Sequence, residues 1–327
     1  MGLLLKKKYD QSIDCQAITS VRMLIQQSKT IALLTHTRPD GDGISACTAL
    51  EHILNKQNKI VETIYPCAPE FDIKRQPKNI AINTHTQMPD LIILCDTANY
   101  ERAYYPEVFK KIPLINIDHH ISNTISGTYN FVDDAYSSTC EGLFLILEAL
   151  DKTMLDSYVA ECLLFGILYD SLIFQTQATT AQTLRITASL MEYGAHLYDL
   201  KTELIANKNP QIIALWGKVM SSVQITSLGN AVFAIVTQKD LRDFGLRLTS
   251  LVGFHNFLSQ VSTVDITALF YETESGQIKV SLRSKIADVN QLAAKFGGGG
   301  HKNAAGFLSN HSIKQVSSMV IAELNNC

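Results

Sequence analysis

The first half of the chain alternates short, almost uniformly apolar runs with segments of helical period. The runs are Ile31–Thr35, Ile60–Tyr65, Leu91–Asp96 and Leu114–Asp118, with a helix expected over Ile44–Asn55 and another near Tyr105–Lys110. A strand with one face in water alternates polar and apolar residues, so a strand apolar at every position is covered on both faces. Joined by crossover helices, such strands form a parallel sheet. Ligands of such sheets sit beyond the carboxyl ends of the strands. Three strand ends here carry acids and imidazoles: His36 with Asp40 and Asp42, then Asp96, then Asp118-His119-His120.

The remaining elements follow from caps and periodicity. A polar helix spans Asp14–Gln27. From Ser137 the chain turns helical over Thr139–Leu150, Leu155–Leu168 and Thr180–Tyr193, with Ser138 as cap, Glu141 completing a capping box, and Asp170 just past the second helix. The weak, polar pattern around 195–212 reads as a linker between a domain at 1–194 and a smaller α/β domain at 213–327. In the latter, Ala231–Val236 is a central strand, while Val264–Tyr271 and Ile278–Arg283 alternate and turn at Gly276, giving a mixed sheet. Helices are expected at Leu241–Phe257, Val289–Lys295 and Ser312–Asn325, with a tetraglycine loop before His301.

A net charge of -3 argues against binding long duplex nucleic acid through a basic face. The apolar run at the N-terminus precedes its lysines, the reverse of a signal peptide, and Lys6 stands where a myristoylation signal wants Ser or Thr. The most apolar window, Val159–Leu168, is too short to span a bilayer. Seven scattered cysteines without a Cys-x-x-Cys pair read as reduced core residues. Together these point to a cytoplasmic protein with no membrane association.

His36, Asp40, Asp42, Asp96, His119 and Asp170 make a donor set of carboxylate oxygens and imidazole nitrogens. That set suits Mn2+ or a similar divalent ion, and it is large enough for two ions sharing a carboxylate. Two such ions support in-line displacement at phosphorus. Taken singly, each residue has a plain use: Asp-Gly makes turns, Asp96 could cap a helix, and a histidine can sit satisfied in a core. Their arrival at one sheet edge favours a site. The glycine run can turn its N–H groups toward an anion, and Arg283 on the strand Ser281-Leu-Arg283-Ser284 supplies a guanidinium for phosphate or carboxylate.

His36-x3-Asp40-x-Asp42, Asp96-Thr97-Ala98, Asp118-His119-His120 with Asn123, and Asp170 together resemble the motifs of the DHH phosphoesterases. Ser281-Leu-Arg283-Ser284 and the glycines before His301 resemble the associated DHHA1 domain. The resemblance implies two Mn2+ ions, with Mg2+ or Co2+ as substitutes, and a water bridging them as nucleophile. His36 and Asp40 would hold one ion, Asp42, His119 and Asp170 the other, and Asp96 both. It further implies that Asp118 orients an imidazole, that His120 faces the scissile phosphate, and that Arg283, Ser284, Gly299, Gly300 and His301 hold the far end of the substrate. Two departures, Ser45-Ala46 in the first motif and Tyr169-Asp170-Ser171-Leu172 where Thr-Asp-Thr-Gly is common, remove no ligand.

The compact two-domain form resembles nanoRNase-type oligoribonucleases and pAp phosphatases. It implies hydrolysis of short oligoribonucleotides and dinucleotides such as pApA to mononucleotides, with pAp as a further substrate. Cyclic di-AMP hydrolysis, a non-catalytic nucleotide-binding regulator and a pyro- or polyphosphatase are the competing readings, and a homodimer is left open.

Overall fold

The computed structural model describes residues 14–69, 73–205, 210–251, 253–261 and 263–325, and gives only the backbone of His301. The N-terminal lysine cluster and the His301 side chain therefore lie outside the described residues. The chain forms two compact units that divide between Asn207 and Lys208.

The first unit runs α1 (Cys15–Gln27), β1 (Thr30–Leu34), α2 (Gly41–Lys56), β2 (Ile60–Tyr65), β3 (Ile80–Ile82), β4 (Leu91–Cys95), β5 (Leu114–Asp118) and β6 (Tyr129–Val132). Then come α3 (Thr139–Leu150), α4 (Ser157–Asp170), α5 (Ala181–Glu192) and α6 (Leu197–Ile205). The sheet order is β3-β2-β1-β4-β5-β6, and every pairing is parallel. Register explains the clustering of the strand ends. Leu34 pairs with Leu94, and Leu94 with Asn116. Two residues further along each strand stand His36, Asp96 and Asp118.

Alternate residues of the central strands enter two separate cores. Ile31, Leu33, Leu91, Ile93, Ile115 and Ile117 pack against residues of the helices. Ala32, Leu34, Ile92, Leu94 and Leu114 pack instead against Phe109 and a group of tyrosines. The helix expected near Tyr105–Lys110 is a 3-10 turn, Glu107–Lys111; Pro106 and Pro113 leave too short a stretch to nucleate an α-helix. β6, which was not expected, lies on the edge beside β5.

The expected linker is mostly helical, divided between α6 and the first turn of α7 (Pro210–Ser221). The second unit continues with β7 (Gln224–Ile225), β8 (Ala231–Val236), α8 (Gln238–Asp243), α9 (Phe254–Val261), β9 (Ile266–Glu272), β10 (Ile278–Ser284), α10 (Val289–Ala294), β11 (Gly299–His301), β12 (Ala304–Ser309) and α11 (Ile313–Leu324). Its sheet, β11-β12-β10-β9-β8-β7, is mixed: β8 and β9 are parallel and the other pairs antiparallel. The single helix expected over Leu241–Phe257 is broken into α8, a 3-10 turn at Leu248–Leu251 and α9. Gly245 and Gly253, at φ 64° and 83°, stop it by adopting the left-handed conformation. Among the described residues no helix is long and apolar enough to cross a membrane.

Candidate metal centre

Asp40 and Asp42 enter the site because α2 begins earlier than helix periodicity indicates. Asp40 caps it, its Oδ1 accepting from the Asp42 and Gly43 amides at 3.1 and 3.2 Å. Its other oxygen stays 3.6 Å from His36 Nε2. Asp42 is fully buried and lies against the start of α3, where the amides of Thr139 and Cys140 donate to it at 2.6 and 3.0 Å. The positive end of that helix favours a carboxylate there.

Asp96 follows β4 in a left-handed conformation, φ 55°, which is uncommon for a side chain other than Asn or Asp and costs backbone energy. The turn aims its carboxylate into the cluster. One oxygen lies 3.3 Å from His36 Nε2; the other is 3.6 Å from both His119 Nε2 and His120 Nδ1 and 3.3 Å from the Thr139 hydroxyl. His119 Nε2 also meets Asp170, the last residue of α4, at 3.1 Å. Three overlapping groups could hold a cation: His36, Asp40 and Asp96; Asp42, His119 and Asp170; and Asp96, His119 and His120.

His120 differs from the others. Its Nδ1 donates to Asp118 Oδ1 at 2.7 Å, while Asn123 donates to the second Asp118 oxygen at 2.5 Å and to the Thr97 carbonyl at 3.0 Å. Fully buried Asp118 thus sets the ring of His120 through its Nδ1.

Burial and mutual repulsion govern the protons. Burial, then Asp170 and Asp96, push Asp42 well above the usual carboxylate range. Burial likewise pushes Asp170 up to about 6, with Asp40 and Asp96 adding and His119 opposing. Asp96 goes the other way: burial would raise it, but the imidazoles of His119 and His36 hold it well below the normal value. Burial would depress His36 and His119, yet carboxylate partners outweigh it, taking His36 up to about 11 and His119 well upward. A surplus of negative charge is being met by protons, and divalent cations would take their place. The oxygen and nitrogen donors, two of the groups holding Asp96 in common, fit hard or borderline cations. Buried Thr35, whose hydroxyl lacks a partner, adds an unspent polar atom just past the strand that leads into the cluster.

A pH dependence follows for the metal-free protein. Asp170 binds its proton more tightly folded, about 6, than unfolded, 3.8. Its contribution to stability is therefore fully present below pH 3.8 and lost as pH rises through about 6. In chelator, Asp170→Asn should show a smaller fall in Tm between pH 4.5 and 7.5 than the parent chain; equal slopes would refute the shifted proton.

One contact near the cluster escaped the reading of the sequence, and the two departures noted there acquire a structural meaning. Thr139 and Cys140 bind Asp42 across a long separation that no local signal reveals. Leu172, Ile173 and Phe174 all have left-handed φ, 49°, 59° and 64°, so the departure from Gly at Leu172 leaves a side chain where backbone strain favours none. Ser45, the other departure, is buried with an unpartnered hydroxyl.

In the second unit Arg283 contacts Asn256 Oδ1 at 3.4 Å and its neighbour's carbonyl at 3.2 Å, and has no carboxylate partner among the described residues. Burial holds its pKa below the usual arginine value. His255, unremarked in the sequence, bonds Ser281 at 2.9 Å and the Thr267 hydroxyl at 2.9 Å. Burial, then Arg283, push it down to about 3, so it is neutral and ties α9 to β9 and β10 beside the guanidinium. Ser284 is committed elsewhere, donating to Asp265 at 3.1 Å.

The glycine run is not the open anion-binding loop expected. Gly299–His301 pairs with β12, and a Cβ at Gly298 or Gly300 would lie 2.3 or 2.4 Å from a carbonyl oxygen of that strand. Close strand approach is what requires glycine at these two positions.

Comparison with known proteins agrees with this geometry. The DHH family, N-terminal domain, matches residues 30–167 and the DHHA1 domain matches residues 231–326. The bifunctional oligoribonuclease and PAP phosphatase NrnA of Bacillus subtilis is 31% identical over 283 residues, 85% of this chain and 88% of that protein. The protein of the same description from Mycoplasma genitalium is 28% identical over 93% of this chain and 96% of its own length. An exopolyphosphatase-related protein from Bacteroides fragilis superposes with a TM-score of 0.86 at 24% identity, covering 96% of this chain and 97% of that one. RecJ of Thermus thermophilus, solved with Mn2+, shares the fold at a TM-score of 0.58 and 15% identity, covering 98% of this chain and 57% of that one. With both domains matched in order and a relative alike along nearly its whole length, the chain belongs to the DHH phosphoesterase family in its DHHA1-bearing form.

Proposed function

We propose that this chain is a metal-dependent phosphodiesterase that hydrolyses short oligoribonucleotides and dinucleotides such as pApA to mononucleotides, and that it also removes phosphate from pAp. The observation that carries the reading is the pair of ligand groups, His36/Asp40/Asp96 and Asp42/His119/Asp170, gathered at one sheet edge. Kinship with oligoribonuclease and PAP phosphatase relatives over most of the chain narrows the substrate class. The unit ending at Asn207 is the catalytic domain and the unit beginning at Lys208 the substrate-binding domain.

His36 and Asp40 would hold one ion and Asp42, His119 and Asp170 a second, with Asp96 available to both; Mn2+ is the ion we assign, with Mg2+ or Co2+ able to replace it. Bound there, the pair supplies an activated water and neutralises charge at phosphorus. The protein's own residues do the rest. Asp118 fixes His120, whose raised pKa keeps a proton for a phosphate or leaving-group oxygen. Arg283, with no acidic partner among the described residues, is the substrate-binding cation, steadied by Asn256. As the family resemblance implies, Gly299, Gly300 and His301 are assigned to the far end of the substrate, and Ser284 keeps the turn in place through Asp265. Six free cysteines among the described residues support a reducing, cytoplasmic setting.

The test is a substrate panel with Mn2+: di- to pentaribonucleotides, pApA, pAp, cyclic di-AMP and pyrophosphate. Mononucleotide release from the linear short substrates is expected. Metal binding without any such release, or hydrolysis of pyrophosphate alone, would sink the proposal. Arg283→Ala should raise KM about tenfold while kcat changes by less than about threefold, the mark of lost substrate binding. A change confined to kcat would exclude the binding role.

A further inference from the structure

Arg102 stands beside the cluster with no role in the motifs described above. It ends a short 3-10 turn, Tyr100–Arg102, capped by Asn99. Its carbonyl accepts from the Thr37 amide at 2.5 Å, and Ala103 bridges to His36, so its backbone is locked to that of the first ligand strand. Its guanidinium Nη2 lies 3.3 Å from His36 Nδ1. No carboxylate pairs with it among the described residues, although Asp40 and Asp96 stand on the far side of the same imidazole, at 3.6 and 3.3 Å from Nε2.

The Thr37 carbonyl lies 2.7 Å from His36 Nδ1 and can only accept, so Nδ1 carries a proton and Arg102 faces a second donor instead of an acceptor. A ring that offers its Nε2 lone pair to a cation keeps that proton on Nδ1. Arg102 therefore presents a half-buried guanidinium, anchored through its backbone beside the cluster, with no acceptor side chain among the described residues.

We propose that Arg102 is a phosphate-binding residue of the catalytic unit, its guanidinium taken by an oxygen of the substrate's phosphate. This rests on the phosphodiesterase reading given above. Guanidinium suits the task because its planar fork of donors matches phosphate oxygens.

The experiment compares the full chain with Arg102→Gln and Arg102→Lys. Mn2+ affinity is measured without nucleotide from the signal of free Mn2+, AMP binding to the Mn2+-loaded protein is measured by calorimetry, and KM and kcat are taken with pApA. Arg102→Gln should weaken AMP binding about tenfold, the loss expected for one charge-assisted hydrogen bond. Mn2+ affinity should stay within about twofold or tighten, and Arg102→Lys should recover part of the loss. Unchanged AMP affinity overturns the proposal. So does a fall in Mn2+ affinity that accounts for the whole AMP effect, which would make Arg102 a positioning residue for His36. If Arg102→Gln melts well below the parent in chelator, Arg102→Lys carries the same comparison, with weaker AMP binding at unchanged Mn2+ affinity as the supporting result. Should the parent bind AMP yet cleave no linear dinucleotide, the phosphodiesterase reading fails while the Arg102 comparison still stands.

Discussion

Asp96→Ala is expected to reduce kcat on pApA at least about a thousandfold, beyond the roughly 10- to 100-fold typical of losing a group that merely orients a ligand. Asp96 reaches His36 with one oxygen and His119 with the other, so its removal takes a donor from both ends of the cluster. It also leaves two imidazoles, each held protonated partly by Asp96, with less to face. Asp96→Asn separates charge from backbone. Asn tolerates the left-handed conformation at φ 55° as Asp does, so this variant should keep its fold while losing Mn2+ affinity and activity. Hydrolysis of pApA and a Mn2+ titration on both variants check the claim. Retention of activity within about tenfold by Asp96→Ala would show that the ions, if two, are not held in this way.

Gly166→Ala should destabilise the protein and impair its metal site, against the expectation from helix propensity. In an exposed helix interior the exchange gains about 1 kcal/mol. Here the new Cβ would lie 2.3 Å from Cys140 Sγ and 2.7 Å from Asp42 Oδ1. α3 and α4 meet at that point, and Asp42 is already clasped by the amides of Thr139 and Cys140. The overpacking should cost about 1–3 kcal/mol and push Asp42 off its place, lowering Mn2+ affinity as well. A urea denaturation in chelator and a metal titration read the two effects separately. A raised midpoint would mean that α4 can move aside, and that Gly166 does not set the approach of the two helices.

The parallel sheet and its ligand-bearing edge were legible in the chain because two local signals coincide. Apolar runs such as Leu91–Cys95 and Leu114–Asp118 mark strands buried on both faces, and chemistry-bearing residues stand just where those runs end. Helix starts at Ser138 and Thr180 were legible for the same reason, since a cap acts within a few residues. The tetraglycine misled because a glycine run has the same composition whether it loops freely or lets two strands come close. Arg102 and Asn256 carried no signal at all, as nothing in their neighbourhoods along the chain points to His36 or Arg283.

What the sequence determined by itself was therefore the fold class, the order of the strands' ligand residues and the kind of ion they suit, all properties of short stretches. Tertiary structure supplied the distances that put Asp96 in two of the candidate groups, the contact by which Asp118 turns His120, and the burial that decides which protons sit on the cluster. Those depend on burial, on distances of a few ångströms between residues far apart in the chain, and on the left-handed turn at Asp96. A pattern along the backbone encodes where a side chain begins, but only packing fixes what it faces.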